Sequence, residues 1–319
     1  MLKYFTAFNQ SELNKFKIYI LDSSENESKD HELKTLISEI AEKYIKYDQS
    51  IFVVQKIAGC LKYLQSGYSI LLADDDLIDL KRYINYCKFL NENENYSCVT
   101  GISTHDNFKH DLYFRNLDQI IKKNSIEDKF YKDRVIKYTS QKDVGNPFYG
   151  VIRTELFVKI WSLMSSFVKF WYYPEIIYNI SILLDGKLKV QDSLAGIRNY
   201  NTSLFNDYSS LSIFNYERNQ KSVLLFSEIK SDIDKEFLLD QLDELKASLS
   251  EKIRKFPYPD TKYLLAKIIF SFIDKRYYYQ KVDSQSYKFY KNVNIFYKEN
   301  KLDSREINVS RKSYKRWIY

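Results

Sequence analysis

The sequence predicts an α/β protein, a mixed sheet flanked by helices over about residues 1–215 with a helical region over 216–319. Three observations predict it. Short apolar, β-branched runs alternate with helically spaced apolar residues across 17–102. Only 7 glycines and 4 prolines occur in 319 residues, too few for the tight turns of an all-β sandwich. From about residue 220 the pattern turns helical, with Leu238, Leu239, Leu242 and Leu245 on one stripe. Hydrophobic residues make up 45% of the chain, enough for one large domain or one domain with an appendage.

The elements follow in order. Lys17 to Leu21 reads as a buried strand ending at Asp22-Ser23-Ser24. Residues 30–46 carry helical spacing at Leu33, Leu36, Ile37, Ile40 and Tyr44. Ile51 to Val54 reads as a second strand, and Lys56 to Gln65 as a helix with Ile57, Cys60, Leu61 and Leu64 on one face. Tyr68 to Ala73 is a third strand, running into Asp74-Asp75-Asp76, and a helix follows from about Ile78 to Leu90. Cys98 to Ile102 is a further strand. This alternation predicts parallel strands, and such sheets bind ligands at their carboxyl ends, where Asp22 and Asp74–Asp76 both fall. Residues 103–150 are polar and irregular, 151–168 look helical, and Ile176 to Leu184 is a helix closed by Gly186. Lys187 to Val190 is a last short strand.

The net charge of +7 suggests nucleic acid at first sight. Its distribution argues otherwise. Residues 1–216 hold 27 basic and 27 acidic side chains, whereas residues 261–319 hold 14 and 5. The positive charge belongs to that last segment, which also carries 14 aromatic residues. It reads as a helical appendage or as a peripheral contact with an anionic membrane surface. The three cysteines, Cys60, Cys87 and Cys98, are odd in number and form no C-x-x-C pair, so reduced thiols and a cytoplasmic setting are expected. No signal peptide or membrane-spanning run is visible.

Three consecutive carboxylates after an apolar strand are the strongest chemical signal. Adjacent like charges repel unless a cation neutralises them. In extended chain Asp74 and Asp76 point to one side and suit a shared Mg²⁺ or Mn²⁺ ion, while Asp75 faces elsewhere. The competing reading is that Asp76 caps the next helix and the other two are solvated.

These residues carry a resemblance. Lys56-Ile57-Ala58 followed by Gly67 to Asp76 is similar to the core of GT-A-fold glycosyltransferases, most of all a bacterial group related to family 2. Phe16 to Ser24 resembles that family's second strand, Asn146 to Thr154 its acceptor-side segment, and Pro174-Glu175 through Gly186-Lys187 to Arg198 its following stretch. The resemblance covers about residues 1–205. It implies a nucleotide-sugar donor, a glycan or lipid-linked acceptor, and a divalent metal, Mn²⁺ or Mg²⁺, at Asp74 and Asp76. It places Asp75 near the donor sugar and Asp22 at the nucleoside. Glu175 matches the position where related inverting enzymes hold their general base, and it reads equally as a helix N-terminal glutamate favoured by the macrodipole. Lys56, Arg153 and Arg198 suit donor phosphate or acceptor anions, although Lys56 also reads as a solvated helix residue and the arginines as structural partners. The family's first strand precedes the helix that Met1 to Phe8 matches, and the sequence begins after it.

Two other readings remain open. The Asp74-x-Asp76 spacing also suits a haloacid-dehalogenase-like phosphatase, although no convincing second acidic pair follows. A non-catalytic binding protein of degenerate transferase fold is the other. His105 and His110 with Asp106 and Asp111 do not match a recognised metal-ligand spacing. No glycine-rich phosphate loop, serine-hydrolase elbow or Cys/His pair is present.

Overall fold

A computed structural model describes residues 2–24, 31–65, 67–73, 76–106, 123–140, 144–165, 172–199 and 216–255. Asp74, Asp75, His110, Asp111 and the basic segment 261–319 lie outside the described residues.

Two sheets form. The smaller is a parallel pair, β1 (Ile18–Asp22) and β2 (Ala41–Lys46). The larger holds β3 (Tyr68–Ser69), β4 (Leu77–Ile78), β5 (Tyr96–Asp106), β6 (Val151–Arg153) and β7 (Lys187–Asn199), in the order β3-β6-β5-β7-β4. Only β5 and β7 run parallel within it; the other three pairings are antiparallel. The described helices are α1 (Leu2–Asn9), α2 (His31–Ile40), α3 (Val53–Cys60), α4 (Leu80–Glu92), α5 (Tyr131–Ser140), α6 (Thr154–Met164), α7 (Tyr172–Asp185), α8 (Tyr216–Ile229) and α9 (Lys235–Lys255).

Strand alternation sorts the core into two layers. Cys98, Ile152 and Leu188 point to one face of the large sheet, where α3, α5, α6, α7, α8 and α9 pack. Val99, Val151 and Ala195 point to the other, covered by Phe5 of α1 and by Leu80, Tyr83, Tyr86 and Leu90 of α4. Trp161, Phe148 and Tyr178 form the aromatic centre of the first layer, with edge-on and tilted ring contacts. Val223, Leu225, Phe226, Leu238 and Leu242 belong to this same cluster, so α8 and α9 share a core with α5–α7.

The mixed α/β architecture flanked by helices agrees with the expectation, and several elements differ in detail. The parallel strands expected over 17–102 occur in the β1–β2 pair, and the larger sheet is mixed, with β4 and β6 antiparallel beside their neighbours. Residues 30–46 are helical only to Ile40, and β2 follows without a linker. Ile51 to Val54 is not a strand. Val54, Ile57 and Leu61 share one face against the core, and burying that helical stripe outweighs the local β-branched preference. The region 151–168 opens with β6, whose Val151 and Ile152 are wholly buried between neighbouring strands; a run that short looks the same in helix and strand. β7 extends far beyond Val190, pairing with β5 as far as Asn199.

The β5–β7 ladder shifts register on both sides of Ile102. Gly101 stands at the shift, and a methyl group there would collide with the Tyr86 hydroxyl and lie 2.5 Å from the Ala195 side chain. The close approach of α4 to the sheet therefore requires glycine.

Candidate functional site

The segment after β3 runs on through Ile70 to Ala73, and the amide of Asp76 donates to the Ala73 carbonyl at 3.3 Å. Asp76 is 7% exposed and lines a small cleft with Leu71, Leu72, Tyr83, Gly101 and Tyr149. The capping alternative fails here. Two strand residues, Leu77 and Ile78, separate Asp76 from α4, and Asp79 is the residue whose side chain accepts from the Lys81 amide at the helix start. Asn9 fixes the far side of the corner, donating to the Ile78 carbonyl at 3.0 Å and accepting from the Leu80 amide at 2.8 Å. Asp76 is thus presented to the cleft by a braced backbone.

A second cluster stands at the carboxyl end of β1. Asp22 accepts from the Tyr44 hydroxyl at 2.5 Å, the Lys46 ammonium at 2.9 Å and the Ser24 amide at 2.8 Å. Burial works to raise its pKa, but these hydrogen bonds outweigh it and hold the carboxyl at about 2. Tyr44 and Lys46 reach the same oxygen because residues two apart on a strand share a face. Beside them Lys56 is 4% exposed and donates to the Ser23 hydroxyl. Burial lowers its pKa to about 8, with the Asp22 charge resisting. The sequence reading named Asp22 and Lys56 but missed Tyr44 and Lys46; their alternate spacing was the available signal, obscured because 30–46 read as helix.

Glu175 lies in the first turn of α7, half-buried, and accepts from the Asn146 side-chain amide at 2.7 Å. Asn146 caps the short 3-10 turn Pro147–Tyr149, its carbonyl oxygen accepting from the Phe148 amide at 3.0 Å. That turn carries Tyr149 into the cleft beside Asp76, and the Tyr83 hydroxyl reaches the Tyr149 carbonyl at 3.4 Å. Three of the segments that carry the resemblance are therefore adjacent in space. Tyr68 and Ser69 pair with Arg153 and Ile152, the Ser69 and Thr154 hydroxyls meet at 2.9 Å, and Asn146 joins Glu175.

The arginines are placed differently. Arg153 turns away from the cleft, donating to the Tyr96 carbonyl at 2.5 Å and the Leu90 carbonyl at 2.8 Å, where it closes the end of α4 against the start of β5. Arg198 pairs through its backbone with His105 near the carboxyl ends of β7 and β5. Among the described residues no three His, Cys, Asp or Glu side chains gather into a metal-binding group, and no helix is long and apolar enough to cross a membrane. The thiols are unpaired and burial raises their pKa values, that of Cys87 to about 11. They are poor nucleophiles.

No protein-family model matches the chain, and no curated protein sequence does. Among solved structures it is similar to TarS of S. aureus. The crystal structure of TarS 1–349 matches with a TM-score of 0.48 and 12% identity, covering 82% of this chain and 70% of that one. A second TarS crystal structure matches at 0.47 and 11%, covering 82% of this chain and 41% of the other. At that distance the similarity carries no argument about chemistry, and the α/β assignment stands on the strand order and the two packed layers themselves.

Proposed function

We propose that the chain is a glycosyltransferase that moves a sugar from a nucleotide-sugar donor to a hydroxyl of a glycan or lipid-linked acceptor. The observation that supports it best is the meeting of Asp76 and Tyr149 at one cleft, with Glu175 tied to the turn that carries Tyr149. Asp76 and Tyr149 belong to two of the segments on which the sequence resemblance rests, some seventy residues apart in the chain.

In this reading Asp74 and Asp76 hold a divalent ion, Asp75 lies near the donor sugar, and Asp22 with Lys56 receives the nucleoside and phosphate end. The donor chemistry fits a hard cation: the described polar lining of the cleft offers carboxylate, hydroxyl and backbone oxygens, with no histidine or thiol. Such an ion stabilises the charge that develops on the departing diphosphate. The acceptor oxygen forms the new bond to the anomeric carbon as the bond to the diphosphate oxygen breaks, and the electron pair leaves with the nucleoside diphosphate. Glu175 takes the hydroxyl proton as general base, which corresponds to an inverting displacement. The cap of α4 is Asp79 and not Asp76.

A thermal-shift screen with uridine, guanosine and cytidine diphosphates tests the reading. One of them is expected to raise the melting temperature in the presence of Mn²⁺, with the increment lost on chelation and in the Asp74→Ala, Asp76→Ala double variant. Absence of any metal-dependent increment, or an equal increment in the double variant, overturns it.

A further inference from the structure

The geometry points to Asn146 as the positioning residue for Glu175, one side chain that orients the carboxylate and sets the turn carrying Tyr149 into the cleft. The inference rests on the reading of Glu175 as a general base.

The two ends of the Asn146 side chain do different work. Its Nδ2 donates to Oε1 of Glu175 at 2.7 Å. Its Oδ1 accepts from the Phe148 amide and from Nδ2 of Asn179, both at 3.0 Å. With the carbonyl end held by two donors, the amide cannot flip, so an N–H is always directed at Glu175. Asn179 is itself fixed. It is 1% exposed, stands one helical turn after Glu175 on α7, and donates also to the Tyr138 hydroxyl of α5 at 2.8 Å. Burial and the charge of Glu175 both raise the pKa of Tyr138, so this end of the chain stays a neutral phenol. Asn179 Oδ1 is buried and has no hydrogen-bond partner among the described residues.

The consequence for the reaction is specific. A carboxylate that accepts a hydrogen bond keeps its ionised form favoured, and a base must be ionised to take a proton. The same donor prevents rotation of the carboxylate away from the cleft-facing turn. Loss of the donor is therefore expected to change proton affinity at Glu175 as well as chemistry.

The test uses Asn146→Ser. Serine is a good cap for the Phe148 amide but is too short to reach Glu175, so the turn is kept and the donor removed. Full-length protein labelled at the glutamate carboxyl carbons is titrated by NMR, with the Glu175 signal assigned from its loss in Glu175→Gln. In Asn146→Ser the Glu175 titration is expected to move up by about one pH unit, the scale of one lost charge-assisted hydrogen bond. Asn179→Ala, which releases Asn146 without touching Glu175, is expected to move it in the same direction by less, and it carries the test if the serine variant does not fold. An unchanged Glu175 titration in the folded variants overturns the inference. The titration does not depend on transfer, so it stands or falls separately from the nucleotide screen. If that screen identifies a donor, Asn146→Ser is expected to lower kcat at least tenfold with donor KM unchanged, whereas a rise in KM alone would count against positioning.

Discussion

The substitution Lys56→Met keeps a chain of similar length at a 4% exposed position and removes its ammonium. In the folded protein burial lowers the Lys56 pKa from 10.5 to about 8. At ~1.4 kcal/mol per pH unit, holding this lysine charged costs the folded state ~3 kcal/mol near neutral pH. Two corrections reduce what the substitution recovers. The cluster is open to solvent around Asp22 and Lys46, which screens the effect, and Ser23 loses its donor at a cost of ~1 kcal/mol. The expected result is a gain of ~1–2 kcal/mol in unfolding free energy at about pH 7.

The sign can be worked through pH. The folded pKa lies below the unfolded one, so between about 8 and 10.5 the unfolded chain binds more protons and the natural protein gains stability as pH rises. The advantage of Lys56→Met is therefore full below about pH 8 and gone above about pH 10.5. Urea unfolding of both proteins at several pH values measures it. On the proposed function the same variant weakens nucleoside-diphosphate binding, because it removes the ammonium that would meet the anion. A variant that is less stable near neutral pH, or whose difference from the natural protein does not change with pH, refutes the argument.

Asp22→Asn is expected to flatten the acid limb of stability. The natural carboxylate, held at about 2, contributes ~1 kcal/mol after solvent screening; this is present above about pH 4 and is lost as pH falls through about 2. Urea midpoints across that window compare the two proteins, and an identical acid limb in the variant would contradict the assignment. Arg134→Met is expected to cost ~3–4 kcal/mol, read as a lowered denaturation midpoint. The buried guanidinium donates to the carbonyls of Asp128, Lys129, Leu183 and Leu184, and methionine leaves all four without it. Arg134→Lys should recover only part of this, since a single ammonium cannot span the set.

The long periodic elements were legible because burial and period agree in them. In α7, Ile176, Ile177, Ile180 and Leu184 are all buried, so helical spacing and apolar content tell the same story. The short strands were not legible. β6 and β4 are three and two residues long, and their identity comes from the neighbours they pair with, which local sequence does not encode. The boundary between α2 and β2 was hidden because Tyr44 continues a helical spacing while actually alternating with Lys46 along a strand. At the site, the carboxylates and Glu175 were visible as residue types, whereas the pairing of Lys46 with Asp22 and the tie from Asn146 to Glu175 are contacts over 24 and 29 residues. Arg153 shows the reverse. Its guanidinium suits an anion in sequence terms, and in the fold it satisfies two backbone carbonyls instead.

The charge pattern then explains why so few glycines suffice. At the end of β1 two ammonium groups, from Lys46 and Lys56, stand with one carboxylate, Asp22. An anionic ligand can meet that end directly. At the other corner Asp74, Asp75 and Asp76 follow one another in the chain, and an anion approaching them is repelled unless a cation lies between. A glycine-rich loop handles phosphate by exposing backbone amides, which needs glycines where the chain comes close to the ligand. Here the proposed alternative is a metal on carboxylates at one end and lysines at the other, and neither demands glycine. The net charge of +7 plays no part in that arrangement: residues 1–216 balance at 27 against 27.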